Sequence, residues 1–254
     1  MQETLIEVKD LVTHYGETLV LKDVSLTVER GTVFVIIGGS GCGKTTLLKH
    51  MTGLLQPTSG AITYDGKDIT KMDEDELALT QQKIGIAFQS GGLFNSMTVG
   101  ENIALPMREY GDVDHRLIPD LVRLKLSLVG LSQAEDMMPS ELSGGMKKRA
   151  GLARAIALDP PVVFFDEPSA GLDPIMAAGL DDLILELKRL LGITFIIVTH
   201  ELDSIRTIAD EVLMLDQGKV VFNGTLDEAE RSEIPRVKQF FERRADQYIA
   251  QRNV

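Results

Sequence analysis

Eight consecutive residues, Gly38-Gly39-Ser40-Gly41-Cys42-Gly43-Lys44-Thr45, have the makings of a backbone loop that cradles phosphate. They fit the pattern G-x-x-x-x-G-K-[ST] in full. The glycines let successive N–H groups curl inward, Lys44 reaches the β- and γ-phosphates, and the Thr45 hydroxyl offers an oxygen to Mg²⁺. A second stretch, Val162-Val163-Phe164-Phe165-Asp166-Glu167, is an apolar run that ends in two adjacent acids. At the carboxyl end of a parallel strand, a carboxylate beside a phosphate loop is placed to hold Mg²⁺, a role assigned to Asp166. Side chains alternate along a strand, so Glu167 is free to polarise an attacking water.

Three further positions have two readings each. Ile193 to Val198 is an apolar run followed by Thr199-His200-Glu201. His200 either donates to a γ-phosphate and orients water or caps the next helix. Gln89 follows the apolar segment Ile84 to Phe88. Its amide oxygen either ligates Mg²⁺ and senses the γ-phosphate or is merely solvated. Leu142-Ser143-Gly144-Gly145-Met146 opens a helical run from Met146 to Leu158. A Ser hydroxyl and two Gly N–H groups at a bare helix N-terminus favour a phosphate, although such strings alone are ordinary turns. A phosphate loop elsewhere in the chain gives this one a ligand.

The elements that must position these residues are readable too. Thr32 to Ile37 is a continuous apolar run ahead of the phosphate loop, and Thr46 to Met51 reads as helix, giving the required order of strand, loop and helix. Val24, Leu26 and Val28 alternate as in a half-buried strand, and Asp65-Gly66 and Asp216-Gln217-Gly218-Lys219 read as hairpin turns. From about Ser90 to Asp159 the pattern turns helical. Thr98 to Glu101 fits a capping box, Leu117 to Leu131 carries buried-face spacing, and Pro160-Pro161 stops the helix that follows Met146.

Composition bounds the function. The 254 residues are 44% hydrophobic, enough for one full core, and the net charge of -12 repels phosphate backbones and headgroups, arguing against general nucleic-acid or anionic-lipid binding. Residues 1 to 20 show no targeting pattern, and no apolar run approaches the ~20 residues a membrane span requires. The single cysteine, Cys42, excludes an internal disulfide. Beside Lys44 and a helix N-terminus its thiol pKa is either lowered, so that alkylation blocks nucleotide binding, or Cys42 is a small inert loop residue.

Taken in order, these motifs resemble those of ATP-binding cassette (ABC) ATPases along nearly the whole chain. Tyr15 matches the aromatic that stacks on adenine, although it can equally pack in a turn. Gly38 to Thr45, with Thr46 behind them, match the Walker A loop, Gln89 the Q-loop and Leu142 to Met146 the signature. Asp166 and Glu167 match the Walker B pair, Ser169 to Asp173 the D-loop and His200 the switch histidine. The resemblance implies an α/β P-loop NTPase (RecA-like) core with an antiparallel β-subdomain and an inserted α-helical signature subdomain. The expected division is 1–89 for the β-subdomain and P-loop part of the core, 90–160 for the helical subdomain, 161–225 for the rest of the core and 226–254 for a C-terminal helical extension. It also implies ATP and Mg²⁺ as cofactors and a head-to-tail dimer. In that dimer Ser143, Gly144 and Gly145, with Asp173 nearby, close over ATP held by Lys44 of a second copy, and Glu167, His200 and Lys44 carry hydrolysis.

Met146 in place of the usual Gln, the continuation Lys147-Lys148-Arg149-Ala150, the D-loop region from Glu167 to Ile175, and the tail segment Pro235 to Phe240 resemble the ATPases of bacterial Mla (maintenance of lipid asymmetry) transporters. That implies phospholipid transport on the cytoplasmic face of the inner membrane, with a multi-span permease and an Mce-domain lipid-binding partner. The 90–100 region is expected to meet a permease helix through Leu93, Phe94 and Met97, or else those residues fill the helical lobe's own core. Val237, Phe240, Phe241, Tyr248 and Ile249 form an apolar stripe that either bridges to the neighbouring ATPase or docks on its own subunit. A cassette for another substrate such as an amino acid, a cassette acting in DNA repair or translation, and a P-loop switch outside the family are the rivals. The last leaves the Leu142 to Met146 string without a task.

Overall fold

In the computed structural model of the chain, which describes residues 3–244, two sheets carry the molecule. The first is antiparallel, ordered β2 (Thr18–Glu29), β1 (Thr4–Tyr15), β4 (Ser59–Tyr64) and β5 (Lys67–Asp68). The second is ordered β10 (Lys219–Thr225), β9 (Glu211–Asp216), β3 (Val33–Gly38), β8 (Thr194–Val198), β7 (Val162–Asp166) and β6 (Ile84–Ala87), and all its neighbours are parallel except the β9–β10 hairpin.

Burial follows from this layout. β3 and β8 are buried along their whole length because both faces of the parallel sheet are covered. In β2, Val24, Leu26 and Val28 are buried while Ser25 and Thr27 face outward, the alternation of a sheet with one wet side. Ile36 and Asp166 both stand opposite Val198, so Gly38, Asp166, Glu167 and His200 all leave the parallel sheet at one edge. That edge, at the carboxyl ends of the strands, is where an open α/β sheet binds its ligand.

Nine α-helices are found among the described residues: α1 (Lys44–Met51), α2 (Glu74–Gln81), α3 (Val99–Tyr110), α4 (Ile118–Leu128), α5 (Gly144–Ala155), α6 (Pro174–Leu191), α7 (Leu202–Ile208), α8 (Leu226–Glu230) and α9 (Pro235–Phe241). α3, α4 and α5 pack on one another. The capping box at α3 forms as its sequence predicts, with Thr98 and Glu101 each accepting from the other's backbone N–H. α5 differs from expectation at both ends. It opens at Gly144 because Ser143 caps it, and it closes at Ala155, where a turn and the left-handed Asp159 release the chain ahead of Pro160. No helix among the described residues is long and apolar enough to cross a membrane.

α6 buries a carboxyl group. Asp181 is 4% exposed and one of its oxygens has no hydrogen-bond partner among the described residues. Burial pushes its pKa up to about 6, with Asp182 adding to the rise and a bond to Ser204 opposing it. The folded state therefore holds this proton more tightly than the unfolded chain, where an aspartate titrates near ~3.9. The stability that protonation contributes is complete below that value and is lost as pH rises through about 6. Asp181→Asn is accordingly expected to stabilise the fold at pH 8 by about 1–3 kcal/mol. The gain should vanish near ~pH 4, as read from thermal midpoints across the range.

Candidate functional site

The loop between β3 and α1 is shaped by glycine where nothing else fits. Gly38 has φ 147°, and a Cβ there runs into the Leu215 carbonyl oxygen and the Cys42 sulfur. Gly41 at φ 75° and Gly43 at φ 108° flank Cys42, whose φ is not positive, an alternation that turns successive N–H groups toward one centre. Lys44 Nζ donates to the carbonyls of Gly38 at 2.8 Å and Gly39 at 3.0 Å, so its ammonium lies across the loop. Thr45 is exposed on the first turn of α1 and Thr46 half-buried behind it.

A cavity of about 700 Å³ opens over this loop. It brings Gly38, Gly39, Ser40 and Lys44 together with Glu167 and His200. Glu167 sits in the left-handed region at φ 49°, just past the end of β7, with its N–H bonded to the Val198 carbonyl at 2.8 Å. His200 Nδ1 donates to Glu167 Oε1 at 2.9 Å and lies equally close, 2.9 Å, to Oε2, which is buried and makes no hydrogen bond of its own among the described residues. His200 does not cap α7, since Glu201 is the cap residue there. A carboxylate held against an imidazole, with one oxygen left without a hydrogen bond, can accept a proton from water.

Asp166 and Gln89 share a second cleft of about 500 Å³ with Phe88, Ser90 and Ala170. Burial raises the Asp166 pKa, Glu167 beside it raises it further, and Lys44 and Lys49 oppose them. A carboxylate so disfavoured is one that a cation would stabilise. No group of three His, Cys, Asp or Glu that could hold a metal is found among the described residues. A hydroxyl, an amide and one carboxylate suit Mg²⁺, which keeps waters and phosphate oxygens among its ligands.

The remaining predicted residues lie elsewhere. Tyr15 is 48% exposed at the tip of the β1–β2 hairpin, a ring open to stacking rather than packed in the turn. Ser143 caps α5, its Oγ accepting from the Met146 N–H at 3.3 Å, with Gly144 exposed and Gly145 buried against Met176. None of these three lines the cavity over Lys44. Asp173 caps α6, accepting from Ile175 and Met176 at 3.0 Å each.

Cys42 corrects one of its two readings. The thiol is 5% exposed and turned beneath the loop, and burial pushes its pKa up, outweighing the pull of Lys44. The native chain is expected to react with a thiol reagent at least ~10-fold slower than the denatured chain. Rapid stoichiometric labelling of native protein would overturn this placement.

Around residues 90–100, Leu93 and Met97 are half-buried, Leu93 against the core, whereas Phe94 is 47% exposed under the Arg154 guanidinium at 5.0 Å. Leu93 thus takes the core reading. Buried Asn102 holds this loop by accepting from the Phe94 N–H and donating to the carbonyls of Phe94, Met97 and Thr98. Beside it an apolar groove of about 390 Å³ is lined by Ile86, Phe88, Pro106, Tyr110 and Arg154. In the tail, Val237 and Phe241 of α9 are buried in the chain's own core, so this part of the stripe docks on its own subunit. Tyr248 and Ile249 lie outside the described residues. Sequence reasoning missed that α9 brings Arg236 to the same cavity, within 3.4 Å of where a Gly39 side chain would start. It missed the buried Lys148 as well, which reaches the Glu167 carbonyl.

Residues 21–170 match the domain family described as ABC transporter. The chain belongs to that family. Over 97% of this cassette and 93% of the relative, it is 42% identical to the intermembrane phospholipid transport system ATP-binding protein MlaF of Haemophilus influenzae. It is also 42% identical, over 92% of the cassette and 66% of the relative, to the probable ribonucleotide transport ATP-binding protein mkl of Mycobacterium bovis. Among solved structures it is similar to the ATP-binding cassette MJ0796, seen as a dimer in a post-hydrolysis state bound to ADP and Pi. The TM-score is 0.79 at 29% identity, covering 87% of this chain and 99% of that one. The α/β architecture of two sheets and a three-helix lobe is therefore that of an ABC cassette.

Proposed function

We propose that this cassette is the ATP-hydrolysing subunit of a phospholipid transporter, working as a head-to-tail dimer under a membrane permease. The observation that carries the hydrolytic part is the Glu167–His200 pair in one cavity with Lys44 and the glycine loop. The loop and Lys44 hold the triphosphate of ATP, Tyr15 stacks on its base, and Glu167, oriented by His200, takes the proton of the attacking water. Thr45, Gln89 and Asp166 would hold Mg²⁺, which when bound neutralises charge on the phosphate oxygens. Ser143, Gly144 and Gly145, exposed or at the bare start of α5 and away from their own cavity, supply donors to ATP held by a second copy. Asp173 fixes the start of α6 next to them.

Phospholipid as cargo is supported by the 42% identity to the Haemophilus protein over nearly the full length of both chains. The permease contact falls on Phe94 and the apolar groove beside it, where exposed Phe88 and Tyr110 offer surface to a cytoplasmic helix. An Mce-domain lipid-binding protein completes the complex on the far side of the inner membrane, and the cassette is peripheral on the cytoplasmic face. Energising ribonucleotide transport is the second reading, favoured by the equal identity to the mycobacterial protein. Copurification from native membranes tests the assignment. A multi-span permease with an Mce-domain protein supports lipid transport, whereas a periplasmic solute-binding protein for a polar substrate overturns it.

A further inference from the structure

Lys148 is a lysine that the fold keeps out of water. It lies in the second turn of α5, 5% exposed, and its Nζ reaches the main-chain carbonyl of Glu167 at 3.1 Å. That is the one hydrogen bond its ammonium makes among the described residues, and no carboxylate there lies within ion-pair distance of it. Burying an ammonium for a single carbonyl is unfavourable unless the contact secures something the fold otherwise lacks.

What it secures is a residue in an awkward conformation. Glu167 is left-handed at φ 49° without being a glycine, a state that persists only where its surroundings over-determine it. Its N–H is tied to Val198 on β8, its carboxylate to His200, and its carbonyl to Lys148, with the Ala170 N–H also directed at that carbonyl at 3.3 Å. Of these tethers, Lys148 is the one anchored in the helix that begins at Ser143.

We infer that Lys148 is a positioning residue for hydrolysis, gripping the Glu167 carbonyl so that the carboxylate is presented to water in its productive orientation. This rests on the reading of Glu167 as the group that accepts the water's proton. Because Ser143, Gly144 and Gly145 open the same helix, the grip also links the carboxylate of one nucleotide site to the donors that close the other. Withdrawal or rotation of α5 loosens Glu167.

The test compares Lys148→Met, Lys148→Gln and Lys148→Arg in full-length protein assembled with its membrane partners, alongside Glu167→Gln. Lys148→Met is expected to lower kcat by about 10- to 100-fold, as a displaced catalytic group does, while the KM for ATP stays within about 2-fold. Lys148→Arg, which restores a cationic donor, should regain most of the rate, and Lys148→Gln, a neutral donor, part of it. Lysine acting only as core filler predicts instead that Met is tolerated, and an unchanged kcat in a folded Lys148→Met enzyme overturns the inference. If Lys148→Met does not fold, the Arg and Gln variants decide: both at full wild-type rate, or neither recovering any, overturns it. The Glu167→Gln control separates the two readings. Should it turn over normally, the role given to Glu167 fails whatever Lys148 does; should it be inactive while Lys148→Met is unaffected, only the positioning role fails.

Discussion

Glu167→Gln is expected to bind ATP as the wild-type chain does, to lose steady-state turnover by about 100-fold or more, and to accumulate as a closed dimer on gel filtration with ATP. The substitution is close to isosteric. The amide oxygen can still accept from His200 at the present 2.9 Å, so the end of β7 need not move. What is lost is the buried Oε2, the oxygen without a partner among the described residues, as a proton acceptor. Binding persists because the loop and Lys44 are untouched, and dimers persist because the nucleotide that holds them together is no longer consumed. Unimpaired ATPase activity in this variant removes Glu167 from the chemistry.

The second large effect is expected at a residue with no place in its own chain's cavity. Gly144 is exposed at the start of α5, and a Cβ there meets nothing closer than Leu172 Cδ2 at 3.8 Å. Gly144→Asp should therefore fold normally, and an acid in a first helical turn is electrostatically favourable. Nucleotide affinity of the isolated chain should be unchanged. In the proposed head-to-tail dimer, however, the carboxylate would meet the γ-phosphate of the partner's ATP, and turnover should fall by about 100-fold or more as donors are replaced by like charge. The decisive measurement is the double variant. Gly144→Asp with Glu167→Gln should stay monomeric in ATP where Glu167→Gln alone dimerises, and a closed dimer of the double variant would take the signature out of the interface.

Both variants fall on residues whose chemistry the sequence discloses. Residues whose chemistry follows from local order were legible: the glycine loop between an apolar strand and a helix, the acids ending β7, and the hairpins at Asp65-Gly66 and Asp216 to Lys219 that the structure forms. Local order also exposed the bare start of α5, though not its boundary, because the cap at Ser143 starts the helix earlier than its apolar spacing does. Cys42 was legible only as a pair of readings. Proximity to Lys44 offered either a lowered thiol pKa or an inert loop residue, and the choice rests on burial beneath the loop, where desolvation dominates. Lys148 and Arg236 were illegible for a related reason. Each acts on a residue about 20 or more positions away in sequence, Lys148 on the Glu167 carbonyl and Arg236 on Asp216, through contacts that only the folded chain defines.

The first two turns of α5 face in two directions at once: the Gly144 end outward, exposed, and the Lys148 side inward to Glu167. This has a genetic consequence. In a cell holding wild-type and altered copies, a lesion in the glycine loop of one copy directly damages only the nucleotide site built on that loop. In the proposed head-to-tail dimer, a lesion that displaces the start of α5 would damage both sites of any mixed dimer, the partner's through the lost donors and its own through a misplaced carboxylate. Alleles that shift the start of α5 without preventing dimerisation should therefore be more nearly dominant over wild type than alleles of Lys44.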